Sequence, residues 1–155
     1  MSAIDGTIVN FTNVDTVKQF PLGLQKDGID GNTYVYIEAD AALDAFAACR
    51  LLEDGGSDEI TTTNSGAVPT QVVVPQVAIP SGSFGWAVAK GLSFSVLAAA
   101  SCAADVKVYT TATAGVVDDA ATDLIQGLRL NATNGGAQAA VNATAVSYMR
   151  TNAQD

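Results

Sequence analysis

A mainly β domain, a small sandwich or barrel-like body of short antiparallel strands, is what this sequence predicts. Two observations carry the prediction. Short β-branched or alternating runs recur every ~8–12 residues, each ended by Gly, Asp, Asn or Thr. The apolar content, 48% of 155 residues, is chiefly Ala and Val, which suits thin, closely packed sheets better than broad helices. A chain of this length makes one domain and buries roughly 70% of the surface its unfolded form exposes.

Residues 1–30 are weakly patterned. "TIVNFT" and "VKQFPLGL" are short extended pieces broken by Pro21 and Gly23, and they read as an N-terminal arm or edge segment. Residues 1–16 hold too few apolar positions to make a core. The β-rich domain then runs over 31–150, with 151–155 as a tail. "DGIDGNTYVYIE" opens with Asp27 and has Glu38 at the twelfth place, but Ile29, Gly31 and Asn32 stand where a calcium loop needs ligands and glycine. Asp30-Gly31 therefore reads as a turn. "NTYVYIEAD" alternates, with Tyr34, Tyr36 and Glu38 on one face and Val35, Ile37 and Ala39 on the other, which is a strand. Ala42, Ala45, Phe46, Cys49 and Leu52 fall near helical spacing, with Asp40 as a cap and Gly55-Gly56 as a stop. One short helix over 40–52 is expected, and a loop with a bulged strand is the alternative.

"SDEITTTNSGAVPT" is a polar loop. "QVVVPQVAIP" carries Pro75, which lacks a ladder donor, so it reads as an edge strand or two short strands. "FGWAVAKG" and "LSFSVLAA" read as neighbouring strands joined at Lys90-Gly91. Alternation puts Phe84, Trp86 and Val88 on one face and Ala87 and Ala89 on the other. "DVKVYTT", "GVVDD", "DLIQGLRLNAT" and "AQAAVNATAVSYM" continue the series of short strands.

Function classes are narrowed by charge and by what is missing. Net charge is −9, and the seven basic residues are scattered. No basic stripe exists to neutralise phosphates, so neither nucleic acid nor an anionic membrane is an expected partner. No apolar run approaches the ~20 residues of a spanning helix, and the first residues lack the pattern of a signal peptide. Histidine is absent, which removes the commonest general base and metal ligand. Cys49 and Cys102 fit no zinc spacing and read as buried free thiols, with a disulfide between them as the alternative. The acidic groups Glu53, Asp54, Asp58, Glu59 and Asp118, Asp119, Asp123 read as solvated turns; a weak cation site is the lesser alternative. An acid-pair hydrolase would need a cleft with stacking aromatics, and no aromatic adjoins these groups. No cofactor and no enzymatic activity are expected.

Three stretches in order carry a family resemblance: "FPLGLQKDGIDGNTYVYIEADAAL", "VPQVAIPSGSFGWAVAKGLSFSVLA" and "AADVKVYTTATAGVVDDAATDLIQGLRLNAT". Over about residues 20–149 the chain resembles the head decoration, or capsid cement, proteins of tailed bacteriophages. The resemblance rests on glycine placement and apolar alternation. It implies a small β-rich, non-enzymatic domain that oligomerises, as a homotrimer or alternatively a dimer, and binds the major capsid protein at subunit junctions on the outer surface of the virion. Such a protein is made in the cytoplasm of a bacterial host. The long N-terminal part and the expected helix depart from the family pattern. Ile8, Val9, Phe11, Phe20, Phe84 and Trp86 are the expected subunit or capsid contacts. A carbohydrate-binding or adhesin-like β-sandwich is the alternative reading, with Tyr34, Tyr36 and Trp86 as its sugar-stacking candidates.

Overall fold

The computed structural model describes residues 9–66 and 69–151. Its strands are β1 (Val14–Asp15), β2 (Gln25–Asp27), β3 (Thr33–Ala39), β4 (Cys49–Leu51), β5 (Gly56–Glu59), β6 (Val72–Pro75), β7 (Phe84–Ala98), β8 (Tyr109–Thr110), β9 (Val117–Asp118), β10 (Ile125–Gln126), β11 (Arg129–Leu130), β12 (Ala139–Ala145) and β13 (Arg150–Thr151). No helix occurs among the described residues.

Five strands close on themselves. β7 pairs with β6, β6 with β4, β4 with β5, β5 with β3, and β3 returns to β7. All of these pairings are antiparallel except β3–β5, which is parallel; β7–β9 is a second parallel contact. A five-stranded ring is narrow, because barrel diameter grows with strand number. Its filling is correspondingly small: Val35, Ile37, Ala39, Cys49, Val73, Ala87 and Ala89, with Leu43, Ala47 and Ile79 completing the cluster. This explains the Ala/Val bias of the composition. Gly85 belongs to the same constraint, since a Cβ there would lie 2.7 Å from Ile79 Cδ1.

The opposite face of the same strands carries the larger residues. Tyr34, Tyr36, Val72, Val74, Trp86 and Val88 form a second core with Phe94, Val96, Val117, Ile125, Leu130, Val141 and Met149. The period-2 alternation of β3 and β7 thus feeds two cores at once, as Phe84/Trp86/Val88 against Ala87/Ala89 predicts. β12 pairs along the distal half of β7, from Ala139↔Ala98 to Ala145↔Gly91, and carries β11 on its other edge. β10 and β13 form a separate two-stranded ladder.

Two sequence expectations are corrected here. The 40–52 segment is not a helix. Phe46 has φ +69°, a left-handed conformation that no helix interior accepts. Its neighbours' amides bond far away in sequence: Leu43 N to Ile79 O, Phe46 N to Pro75 O, Ala48 N to Gly115 O and Leu51 N to Gln71 O. Ala48 and Cys49 are both fully buried, one in each core, and only an extended segment inserted between two layers achieves that. The second correction concerns "FGWAVAKG" and "LSFSVLAA", which are one 15-residue strand, β7, not two. Lys90-Gly91 does not turn, because Gly91 lies flat against Asn32, whose Oδ1 would overlap a Cβ at that position.

The Asp30-Gly31 turn is as read. Gly31 has φ +82°, its N–H donates to Gly28 O, and Asn32 N donates to Asp30 Oδ1 at 3.1 Å. The turn joins β2 to β3, so position 30/31 lies inside a hairpin. Residues 152–155 of the expected tail lie outside the described residues.

Candidate functional site

Five of the six expected contact residues meet on one face of the barrel. Ile8, the sixth, lies outside the described residues. Val9, Phe11, Phe20 and Phe84 are partly buried against the larger core, and Trp86 is 1% exposed. Residues 9–24 run as a strap across β3 and β7. Phe11 stacks on Tyr34 with centroids 4.0 Å apart at 7°, and presents its edge to Trp86 at 5.3 Å. Phe20 meets Tyr36 edge-on at 5.2 Å and Trp86 at 5.4 Å. Trp86 and Tyr36 are cross-strand partners, 5.1 Å apart.

Polar groups tie the strap down. β1 pairs with the start of β7 through Val14↔Gly85 and Asp15↔Phe84. The Tyr36 hydroxyl donates to Asp15 Oδ2 at 2.7 Å and accepts from Gln19 N at 3.2 Å. Tyr34 donates to Asp30 Oδ2 at 2.5 Å, and Asn32 Nδ2 donates to the same oxygen at 2.9 Å. Burial pushes the Tyr34 hydroxyl up to about 12, and the Asp30 carboxylate adds to the effect. Burial does the same to Tyr36, also to about 12, with the Asp15 carboxylate reinforcing it against the opposing Gln19 N–H. Burial alone would raise Asp30; the bonds from Tyr34 and Asn32 outweigh it and hold that carboxyl below its ordinary value.

The aromatic face is therefore occupied from within the chain. Tyr34, Tyr36 and Trp86, the candidate sugar platforms, are 6%, 0% and 1% exposed, so none offers an open ring. What remains at the surface there is a groove of ≈ 500 Å³ between Val9–Thr12 and Lys26–Asp30, with Tyr34 in its wall.

Most of the acidic groups have structural partners. Asp58 forms a two-pronged ion pair with its cross-strand partner Arg50. Glu59 Oε1 accepts from Asp44 N at 2.7 Å, and Asp54 Oδ1 from Gly56 N at 3.0 Å. Asp123 accepts from the Ser65 hydroxyl, and Ser65 is fully buried. Asp118, Asp119 and Cys102 bring ligand atoms within 4.8 Å of one another. There, burial and then the Asp119 and Asp118 carboxylates push the Cys102 thiol up to about 11, so without a bound cation it is protonated near neutral pH. Asp119 Oδ2 is already accepting from Ala103 N at 3.1 Å. Cys49 is buried in the barrel, its thiol raised well above the usual value by burial and then by Glu59, Asp58 and Asp44. Both cysteines are free.

Sequence reasoning missed how the strap joins Tyr34 and Tyr36 to the Phe/Trp group. Leu22 and Leu24, which also pack on this core, alternate with Phe20 in "FPLGL", and that period-2 pattern was the available signal. No family model, no curated protein and no solved structure matches the chain.

Proposed function

We propose that this chain is a structural protein of a tailed-phage virion. It binds the outer surface of the head at junctions between major capsid subunits, and stabilises the shell as a homotrimer, a dimer being the alternative. The observation that carries the reading is the double-sided core. β3, β6 and β7 are buried on both faces, and six of the ten aromatic residues are spent inside one cluster with Trp86 at its centre. Such a body is stiff. A cement protein gains from stiffness, because a rigid multivalent partner loses little freedom on each contact and avidity multiplies modest affinities. Net charge of −9 disfavours contact with packaged DNA and suits an exterior position. The glycine and apolar pattern over residues 20–149 supports the same class.

The test begins with purified heads of the phage encoding the chain. Quantitative mass spectrometry should find it at a fixed ratio to the major capsid protein. Antibody labelling should place it outside, and adding it to stripped heads should raise their melting temperature. Heads that carry none of it, and whose melting temperature does not respond, would remove the proposal. Light scattering of the free protein tests the oligomer: a mass of one chain at micromolar concentration excludes both trimer and dimer.

A further inference from the structure

Away from the strap, the β10–β13 ladder and an isolated bridge place a row of side chains together. Arg150 on β13 is the register partner of Gln126 on β10, and it also bridges to Gln71 just before β6. Directly paired residues share a face, so Gln71, Arg150 and Gln126 stand side by side. They line a cavity of ≈ 580 Å³ with Ser147, Tyr148 and Met149. Small-molecule sites typically span ~300–1,000 Å³.

Three features set this cavity apart. First, no carboxylate of the described residues lines it, although acidic residues outnumber basic ones 16 to 7 in the sequence. Four other surface grooves each include one or more: Asp27 and Asp30, Asp15, Asp105, and Glu53. Second, its hydrogen-bonding groups are not all used. The Gln71 amide nitrogen is buried without a partner, which is rare for a buried donor. Arg150 spends Nε on Gln126 Oε1 at 2.9 Å and makes no ion pair among the described residues. Third, Tyr148 is 43% exposed, with Lys90 Nζ 4.8 Å from its ring centre and its hydroxyl fixed on Gln25 Oε1 at 2.7 Å. Lys90 likewise has no ion-pair partner among the described residues.

From these we infer that the cavity binds a saccharide bearing a carboxylate, a uronic acid unit. Arg150 takes the carboxylate by charge-assisted bonds. The amides of Gln71 and Gln126 and the Ser147 hydroxyl, each able to donate and accept, answer the ring hydroxyls. The Tyr148 ring covers the apolar C–H face of the pyranose. This site is separate from the proposed capsid contact, and its ligand does not depend on that reading.

The experiment is calorimetric titration of the full chain with digalacturonate, the uncharged disaccharide lactose, and an acetylated Glu-Glu peptide. Digalacturonate should bind with a dissociation constant of ~1 mM or tighter, and weaken as salt rises. Arg150→Gln and Tyr148→Ala should each weaken it about tenfold or more, with the melting temperature held to show that the fold survives. Arg129→Gln, at an exposed arginine paired with Asp105, should change nothing. Absence of binding at about 10 mM, equal binding of lactose, equal or tighter binding of the Glu-Glu peptide, or equal loss with Arg129→Gln would each overturn the inference.

Discussion

Replacing Phe11 with alanine tests whether the strap is part of the folded body or an accessory laid over it. Phe11 stacks on Tyr34 at 4.0 Å and meets Trp86 edge-on at 5.3 Å. Full burial makes a Phe→Ala change cost ~3–5 kcal/mol. Phe11 is only partly buried, so about half of that, ~2 kcal/mol, is expected. For a domain of this size each kcal/mol lowers the melting temperature by roughly 2–4 °C, so the fall should be about 4–8 °C. Trp86 is the only tryptophan and is 1% exposed, so its emission reports the same event directly: opening one side of the indole to water should shift it to the red. Val17→Ala is the control, because Val17 is 67% exposed and should stay within about 0.5 kcal/mol of the parent. A Phe11→Ala protein with unchanged melting and unchanged emission would refute the reasoning, and would return residues 9–16 to the status of a free arm.

Trp86→Ala should remove ~3–5 kcal/mol from a total of ~5–15 kcal/mol, and either unfold the chain or dissociate the proposed oligomer, as thermal unfolding combined with sizing will read. Gly91→Ala should cost about 1–3 kcal/mol, because the added Cβ overlaps Asn32 Oδ1 and lies 3.0 Å from Asn32 Cα; denaturant unfolding checks it. Cys49 and Cys102 should resist a thiol reagent at pH 8 in the native state and both react after denaturation, since burial raises both thiols. Alkaline titration followed by tyrosinate absorbance should show Tyr34 and Tyr36 ionising late. Their folded values of about 12 lie above the ordinary tyrosine value of about 10, so the folded state holds those protons more tightly and stability should fall as pH rises from about 10 to 12. Ordinary titration of all tyrosines with no loss of stability would contradict it.

Local chemistry made much of the fold legible. Strict alternation in "NTYVYIE" and "FGWAVA" assigns each side chain of β3 and β7 to a face, and the two cores follow that assignment. The turn at Asp30-Gly31 needs a positive φ, which Gly31 supplies at +82°. The 40–52 segment was misleading for a physical reason. Ala42, Ala45, Cys49 and Leu52 have helical spacing, but small residues suit any close-packed environment, and the segment's backbone finds better partners in Ile79, Pro75, Gly115 and Gln71. Tertiary pairing overrides a weak local preference, and Phe46 adopts φ +69° in the process. The same reasoning covers Lys90-Gly91. Glycine there marks close backbone approach to Asn32, not a turn, and only the partner strand reveals which of the two meanings applies.

The candidate sites divide along the same line. Phe84 and Trp86 announce themselves because large residues stand out in an Ala/Val-rich chain, and their shared face follows from a spacing of two. That they are covered from within depends on Phe11 and Phe20, more than sixty residues earlier, returning over β3 and β7. The cavity at Gln71, Gln126 and Arg150 leaves no sequence signal at all. Its members come from three separated segments brought into register by two short ladders, and glutamine is unremarked wherever it falls. What distinguishes the place is a lack of carboxylates among its described lining residues in a chain of charge −9, a property of surface distribution that no linear motif records. An acidic protein that keeps its described acidic groups out of this concavity, with Arg150 on the wall and Lys90 over the ring of Tyr148, neither ion-paired among the described residues, presents a local field opposite to its net charge. Long-range repulsion of an anion by the whole molecule is screened beyond ~8–10 Å at physiological salt, so that local field decides what can settle there.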